Sequence, residues 1–266
     1  LTGFDILSWE VAMRIIGAGW TDIGLQRDTN EDSFAVVQEG SDVERYGACY
    51  IVCDGLGGAR AGEIASRMAA ETFVAAWFVR EVSALDTGQR LQLAVRQANT
   101  AVYRSSLLSE DVSGMGTTLV ALVVLQGERA SVCNVGDSRC YRLRGGALDL
   151  LTEDHTMAAD MVRAGLLDPN DIRIVSERNI LTRAIGTAPR VEVDVMSTDL
   201  VAGDRFLLCS DGLWGAVSEQ ELQRELNGGS AEDTAHRLVI LANEHGGFDN
   251  ATAVVVDVQP GDVVSG

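Results

Sequence analysis

Apolar residues along this chain recur with two different periods, and the switches between them mark its elements. Runs rich in β-branched and aromatic residues at about 14–21, 33–38 and 48–54 read as strands. The period then changes to about 3.6. Residues 61–82 place Ile64, Met68, Thr72, Ala76 and Val79 on one stripe, and 89–108 do the same with Leu91, Val95, Ala98 and Val102. Short strands return at 117–126, 129–135, 139–144 and 147–151, the last two joined by Gly145-Gly146 as a hairpin turn. Residues 155–182 break the pattern with a short amphipathic helix (157–164), a glycine, an Asp168-Pro169 turn and a polar stretch. Strands at 191–198 and 204–210, helices at 218–226 and 230–244 and a strand at 251–258 complete the chain. Strands near both ends with paired helices between them predict one α+β domain over 13–260. Its sheets are mostly antiparallel and helices cover their faces. Residues 1–12 fit no motif and read as an N-terminal extension.

Several predicted strands finish on an acid. "YIVCDGLGG" runs into Asp54-Gly55, and "FLLCSDGLWG" into Asp211-Gly212. Glu31-Asp32 precedes "SFAVV", Asp137 lies in "NVGDSR", and Asp249-Asn250 precedes "ATAVVV". Any one Asp-Gly alone is a turn. Five sites with the same grammar suggest that the acids converge. Converging carboxylates raise each other's pKa unless a cation offsets them. An all-oxygen set without His or Cys at ligand spacing selects hard ions, Mg²⁺ or Mn²⁺ over Zn²⁺. A calcium loop is the weaker alternative, because no run of that pattern occurs. Glycine after Asp54 leaves a backbone carbonyl free to approach an ion. Arg27, five residues before Asp32, can clamp two phosphate oxygens.

Composition narrows the function classes. The 266 residues are 46% hydrophobic, enough for a large core, and carry a net charge of −18. Such a surface repels nucleic acid and suits cations. The longest apolar run, around 119–125, is far short of the ~20 residues of a membrane span, so no membrane role is expected. The five cysteines form no C-x-x-C pair and lie in apolar runs, which reads as buried, reduced thiols of a cytoplasmic protein.

"GLQRDTNEDSF", "VCDGLGGARAGEIAS", "GMGTTLV", "NVGDSRCYRLR", "LTEDHT", "NILTRAIG", "LCSDGLW" and "DNATAVVV" follow one another in this order. Together, from about residue 19 to 258, they resemble the protein phosphatase 2C family, the metal-dependent serine/threonine phosphatases, in its compact bacterial form. The resemblance implies a four-layer α-β-β-α sandwich, two antiparallel sheets flanked by helix pairs, with a two-metal centre between the sheets. It implies that Asp54 bridges two Mn²⁺ or Mg²⁺ ions, that the Gly55 carbonyl binds one of them, and that Asp211 and Asp249 hold the other. Asp32 and Glu31 would act mainly through metal-bound waters, with Glu31 and Asn250 standing behind the ligands. Asp137, with Asp211, would take a third, weaker ion. Arg27 would bind the substrate phosphate, and residues 155–182 would form a flap beside the site. The implied reaction is in-line attack on phosphoserine or phosphothreonine by a hydroxide shared between the ions. A Ser/Thr kinase pathway would supply the phosphoprotein substrates. Leu56 stands where some relatives carry a histidine proposed as general acid, so a metal-bound water is the expected proton donor to the leaving oxygen.

Two other readings compete. "CNVGDSR" matches C-x-x-G-x-x-R of thiol-based phosphatases, but Asp137 opposes phosphate and a strand, not a helix, is predicted to follow. Cys133 is therefore expected in the core, and His155 in a structural role. A catalytically silent regulatory relative would be expected to lack metal acids, whereas all of the expected ones are present.

Overall fold

A computed structural model describes residues 13–57, 60–79, 85–125, 129–168 and 180–261. The strands are β1 (Met13–Asp22), β2 (Asp32–Val37), β3 (Ala48–Leu56), β4 (Gly116–Thr117), β5 (Leu119–Val124), β6 (Arg129–Val135), β7 (Arg139–Arg144), β8 (Ala147–Leu150), β9 (Asp194–Asp199), β10 (Arg205–Cys209) and β11 (Ala251–Pro260). The helices are α1 (Ser41–Tyr46), α2 (Arg60–Trp77), α3 (Thr87–Ser106), α4 (Met157–Arg163), α5 (Asp211–Trp214), α6 (Glu219–Leu226) and α7 (Ala231–Glu244).

The strands form two sheets, ordered β1-β11-β10-β7-β8 and β2-β3-β5-β6-β9, with β4 against the end of β3. Every strand pairing within them is antiparallel. Alternation along the strands explains the layering. In β3, Tyr50 and Val52 meet Val120, Leu122, Phe206, Leu208, Val254 and Val256 between the sheets. Cys49, Ile51 and Cys53 face the other way, onto Ala65, Ala69 and Phe73 of α2 and Leu91 and Val95 of α3. On the opposite outer face, Leu207 and Val255 pack beneath Leu222 of α6 and Leu238 of α7. Burial on both faces is why these strands read as continuous apolar runs. The α+β sandwich of two antiparallel sheets with helices outside is thus the observed fold.

The details depart from the sequence pattern in four places. The buried face of α2 is Ala61, Ala65, Ala69, Ala70, Phe73, Ala76 and Trp77; Ala76 of the expected stripe is buried, while Ile64 and Met68 sit half-buried at its flank. The alanines at 61, 65 and 69 let the first half of α2 lie close to the sheet, and Phe73 and Trp77 fill the space beyond them. The helix also stops at Trp77, before the expected 82, where Arg90 of α3 donates to the carbonyls of Trp77 and Val79 (both 2.6 Å). The expected strand at 117–126 divides into β4 and β5 around Thr118, and α1 and α5 are short helices that the sequence pattern does not show. The Gly145-Gly146 turn is as expected, both φ values being positive (58° and 84°). Residues 1–12 and 169–179, most of the polar part of the expected flap, lie outside the described residues. Of the described part of 155–182, Thr156 forms a bridge with Leu181.

At the end of the first sheet remote from Asp54, Asp204 is fully buried and accepts from Arg144 through both oxygens (2.6 Å each) and from the Val201 amide (2.9 Å). Arg144→Ala leaves this carboxylate without its counter-charge. A loss of about 3 kcal/mol in urea unfolding is expected.

Candidate metal centre

The second sheet supplies Asp54 at the end of β3, directly opposite Asp32 on β2. Its backbone is fixed from both sides of the β4–β5 break. The Asp54 amide donates to Thr118 Oγ1 (2.9 Å), and its carbonyl accepts from Thr117 Oγ1 (2.8 Å) and the Thr118 amide (2.9 Å). The first sheet supplies Asp211, where β10 turns into α5, and Asp249, just before β11. Asp32 links the sheets: its Oδ2 accepts from Ser210 Oγ (2.7 Å) and Thr252 Oγ1 (2.6 Å) of the opposite one.

Glycine allows the closure. A side chain at Gly55 would run into the backbone of Gly62 and the carbonyl of Glu31, and one at Gly212 into the carbonyl of Asn250. Asn250 ties the loops together, accepting from the Glu31 amide (2.8 Å) and donating to the carbonyls of Ile23 (2.8 Å) and Thr29 (3.0 Å).

The charges are not balanced by protein groups. Burial, reinforced by the charges of Asp211 and Asp249, pushes Asp32 up to about 7 even though the two hydroxyls favour its ionised form. Burial also holds Asp54 well above the carboxylate range, aided by the charges of Asp32, Asp211 and Asp137 and by a hydrogen bond with Asp211. Asp137 rises to about 8 through burial and the nearby Asp211 and Asp154. Glu31 is raised by burial, against the pull of Arg27. Arg27 reaches across to Asp249 (2.6 Å), and although burial disfavours its charge, that carboxylate holds the guanidinium pKa up.

These acids fit a hard divalent cation. The buried Oδ1 of Asp32 has no hydrogen-bond partner, and all of the donors are oxygens. Among the described residues, no three His, Cys, Asp or Glu side chains are grouped closely enough to hold a metal ion by themselves.

Several supporting residues gave no sequence signal. Thr118, Ser210 and Thr252 look like ordinary strand residues until the sheets are stacked. Trp214 of α5 donates its indole N–H to the Asp137 carbonyl (2.9 Å), and the Arg139 guanidinium lies 3.6 Å over its ring while pairing with Asp154 (2.7 Å). His155 is fully buried: its Nδ1 accepts from the Gly136 amide (3.1 Å), which leaves Nε2 to donate to Asp194 (3.0 Å). It supports the Asp137 turn. Cys133 is in the core, its thiol pushed up to about 12 by burial, and β7 follows its turn. All five cysteines are free and buried.

Comparison with known proteins agrees with this arrangement. The model of the protein phosphatase 2C family matches residues 26–247. The serine/threonine phosphatase stp of Listeria monocytogenes is 37% identical over 242 residues, covering 89% of this chain and 93% of the relative. Serine/threonine protein phosphatase PstP of Mycobacterium tuberculosis is 36% identical over 241 residues, covering 91% of this chain and 44% of its own length. A crystal structure of the PstP catalytic domain in complex with two manganese ions superposes with a TM-score of 0.79 at 35% identity, covering 93% of this chain and 99% of that one. With a family match across most of its length and relatives of this similarity, the chain belongs to the protein phosphatase 2C family.

Proposed function

We propose that this chain is a Mn²⁺- or Mg²⁺-dependent phosphatase that removes phosphate from phosphoserine and phosphothreonine in proteins. The observation that carries the reading is the set of buried acids from both sheets, held at strand ends with too little positive charge beside them. Asp54, Asp211 and Asp249, with the Gly55 carbonyl, would hold paired ions, and Asp137 with Asp211 a weaker third. Such ions supply Lewis acidity and a nucleophilic water at neutral pH. Asp32 ties the two sheets together through Ser210 and Thr252, and its other oxygen, without a hydrogen-bond partner, would be left for the centre. Arg27, more than half exposed, stands at the rim, where its fork can take two phosphoryl oxygens and offset their charge. Glu31 and Asn250 brace the loops behind.

The relatives' serine/threonine phosphatase names and the manganese in the PstP crystal support catalysis over a silent regulatory role. A Ser/Thr kinase is the expected opposing enzyme, and reduced core thiols agree with a cytoplasmic location. No described helix is long and apolar enough to cross a membrane. The test is hydrolysis of para-nitrophenyl phosphate and phosphothreonine peptides with Mn²⁺. EDTA is expected to abolish both, and Cys133→Ser to leave rates within about threefold, since a buried neutral thiol does no chemistry. EDTA-resistant activity lost in Cys133→Ser would refute the proposal.

A further inference from the structure

We propose that Leu25 and Phe248 form an apolar lip that seats a bulky apolar side chain of the substrate polypeptide next to its phosphorylated residue. This inference rests on the phosphatase reading and names the substrates that the site takes.

Leu25 and Phe248 are 70% and 66% exposed, among the most exposed large apolar side chains in the described structure. One exposed leucine means little. These two, however, stand on a single braced ledge. The Leu25 amide donates to the Gly247 carbonyl (2.8 Å), and Asn250 binds the Ile23 carbonyl (2.8 Å). Gly24 (φ 81°) lies against the Asp249 carbonyl, Gly247 against the Leu25 side chain, and Gly246 (φ 121°) against the Phe248 ring. Left-handed glycines and cross-loop hydrogen bonds thus hold the two side chains out of the core and in place.

The ledge also carries the phosphate-binding end of the site. Leu25 is two residues before Arg27, Phe248 is next to Asp249, and Arg27 and Asp249 are in contact at 2.6 Å. A polypeptide that brings a phosphate to Arg27 and runs along this ledge meets Leu25 and Phe248. At about 3.3 Å per extended residue, the side chain it sets there lies about one to three positions from the phosphorylated one. Its chemistry follows from the surroundings: the lip offers apolar contact, while Asp28 follows Leu25 by three residues and Asp249 directly follows Phe248, in a chain of net charge −18. Acidic flanks are repelled, and Leu, Ile, Val, Met or Phe is favoured.

The experiment uses matched phosphothreonine peptides carrying Leu, Ser or Asp at the flanking positions, with Mn²⁺ and the full chain. Expected is a kcat/KM about tenfold higher for Leu than for Ser, and lower still for Asp. Leu25→Ser/Phe248→Ser should bring the Leu-to-Ser ratio to within about twofold of unity, each single variant taking part of that loss. Both positions are exposed, so thermal unfolding should match wild type. If the double variant does not fold, the single variants decide. A ratio unchanged in the variants, or no flank preference in wild type, overturns the lip. Mn²⁺-dependent turnover of para-nitrophenyl phosphate then still upholds the phosphatase reading; without Mn²⁺-dependent turnover of either substrate, both fall.

Discussion

Asp54→Asn is expected to lower turnover of para-nitrophenyl phosphate by at least about a thousandfold, and to make the metal-free protein more stable. The two effects have one origin. Asp54 is buried among Asp32, Asp211 and Asp137, and its protonation is favoured by burial and by those neighbours. An ion there offsets that repulsion, whereas a metal-free protein bears it. Asparagine keeps the shape, can still donate to Asp211, and cannot ionise, so it removes the cost of holding a buried carboxyl protonated among other acids. It also withdraws the carboxylate best placed between the sheets. A stabilised and inactive variant is the usual trade-off at a site built from mutual repulsion. Steady-state rates with Mn²⁺ and urea unfolding in EDTA measure the two halves. An Asp54→Asn protein that is less stable in EDTA would show that the acids are not in conflict.

The second large effect is on the pH dependence of stability. Asp32 and Asp137 are raised from 3.8 to about 7 and about 8, so the folded protein binds more protons than the unfolded chain between pH 4 and 8. The stability tied to those protons is fully present below the unfolded pKa and is lost as pH rises through the folded values. Metal-free protein should therefore be less stable at pH 8.5 than at pH 5.5 by the order of several kcal/mol. Ions bind the deprotonated acids and release those protons. Mn²⁺ should accordingly raise the melting temperature much more at pH 8.5 than at pH 5.5. Thermal unfolding at both values, with EDTA or Mn²⁺, checks the slope and its reversal; a flat profile in EDTA would contradict it.

Much of this was legible in the sequence, because strand-end acids and helical stripes are local patterns. The stripe of α3 (Leu91, Val95, Ala98, Val102) is fully buried as read. In α2 the stripe holds at Ala76 but is displaced by one position at Ile64 and Met68, where close packing favours Ala65 and Ala69. Helix α5 escaped notice because four residues, Asp211–Trp214, carry no period. At the site, local pattern names each acid one by one, and only the family resemblance says which of them meet. The placing of Ser210 and Thr252 on Asp32, 178 and 220 residues away along the chain, exists only once the two sheets face each other. Arg27 was read as a phosphate ligand, and its contact with Asp249 joins two loops that sequence alone does not relate.

The most direct measurement is anomalous diffraction from crystals soaked in manganese. The account predicts a pair of strong peaks between Asp54 on one sheet and Asp211 and Asp249 on the other, both absent in Asp54→Asn. Fully soaked crystals with no peak beside Asp54 would contradict it.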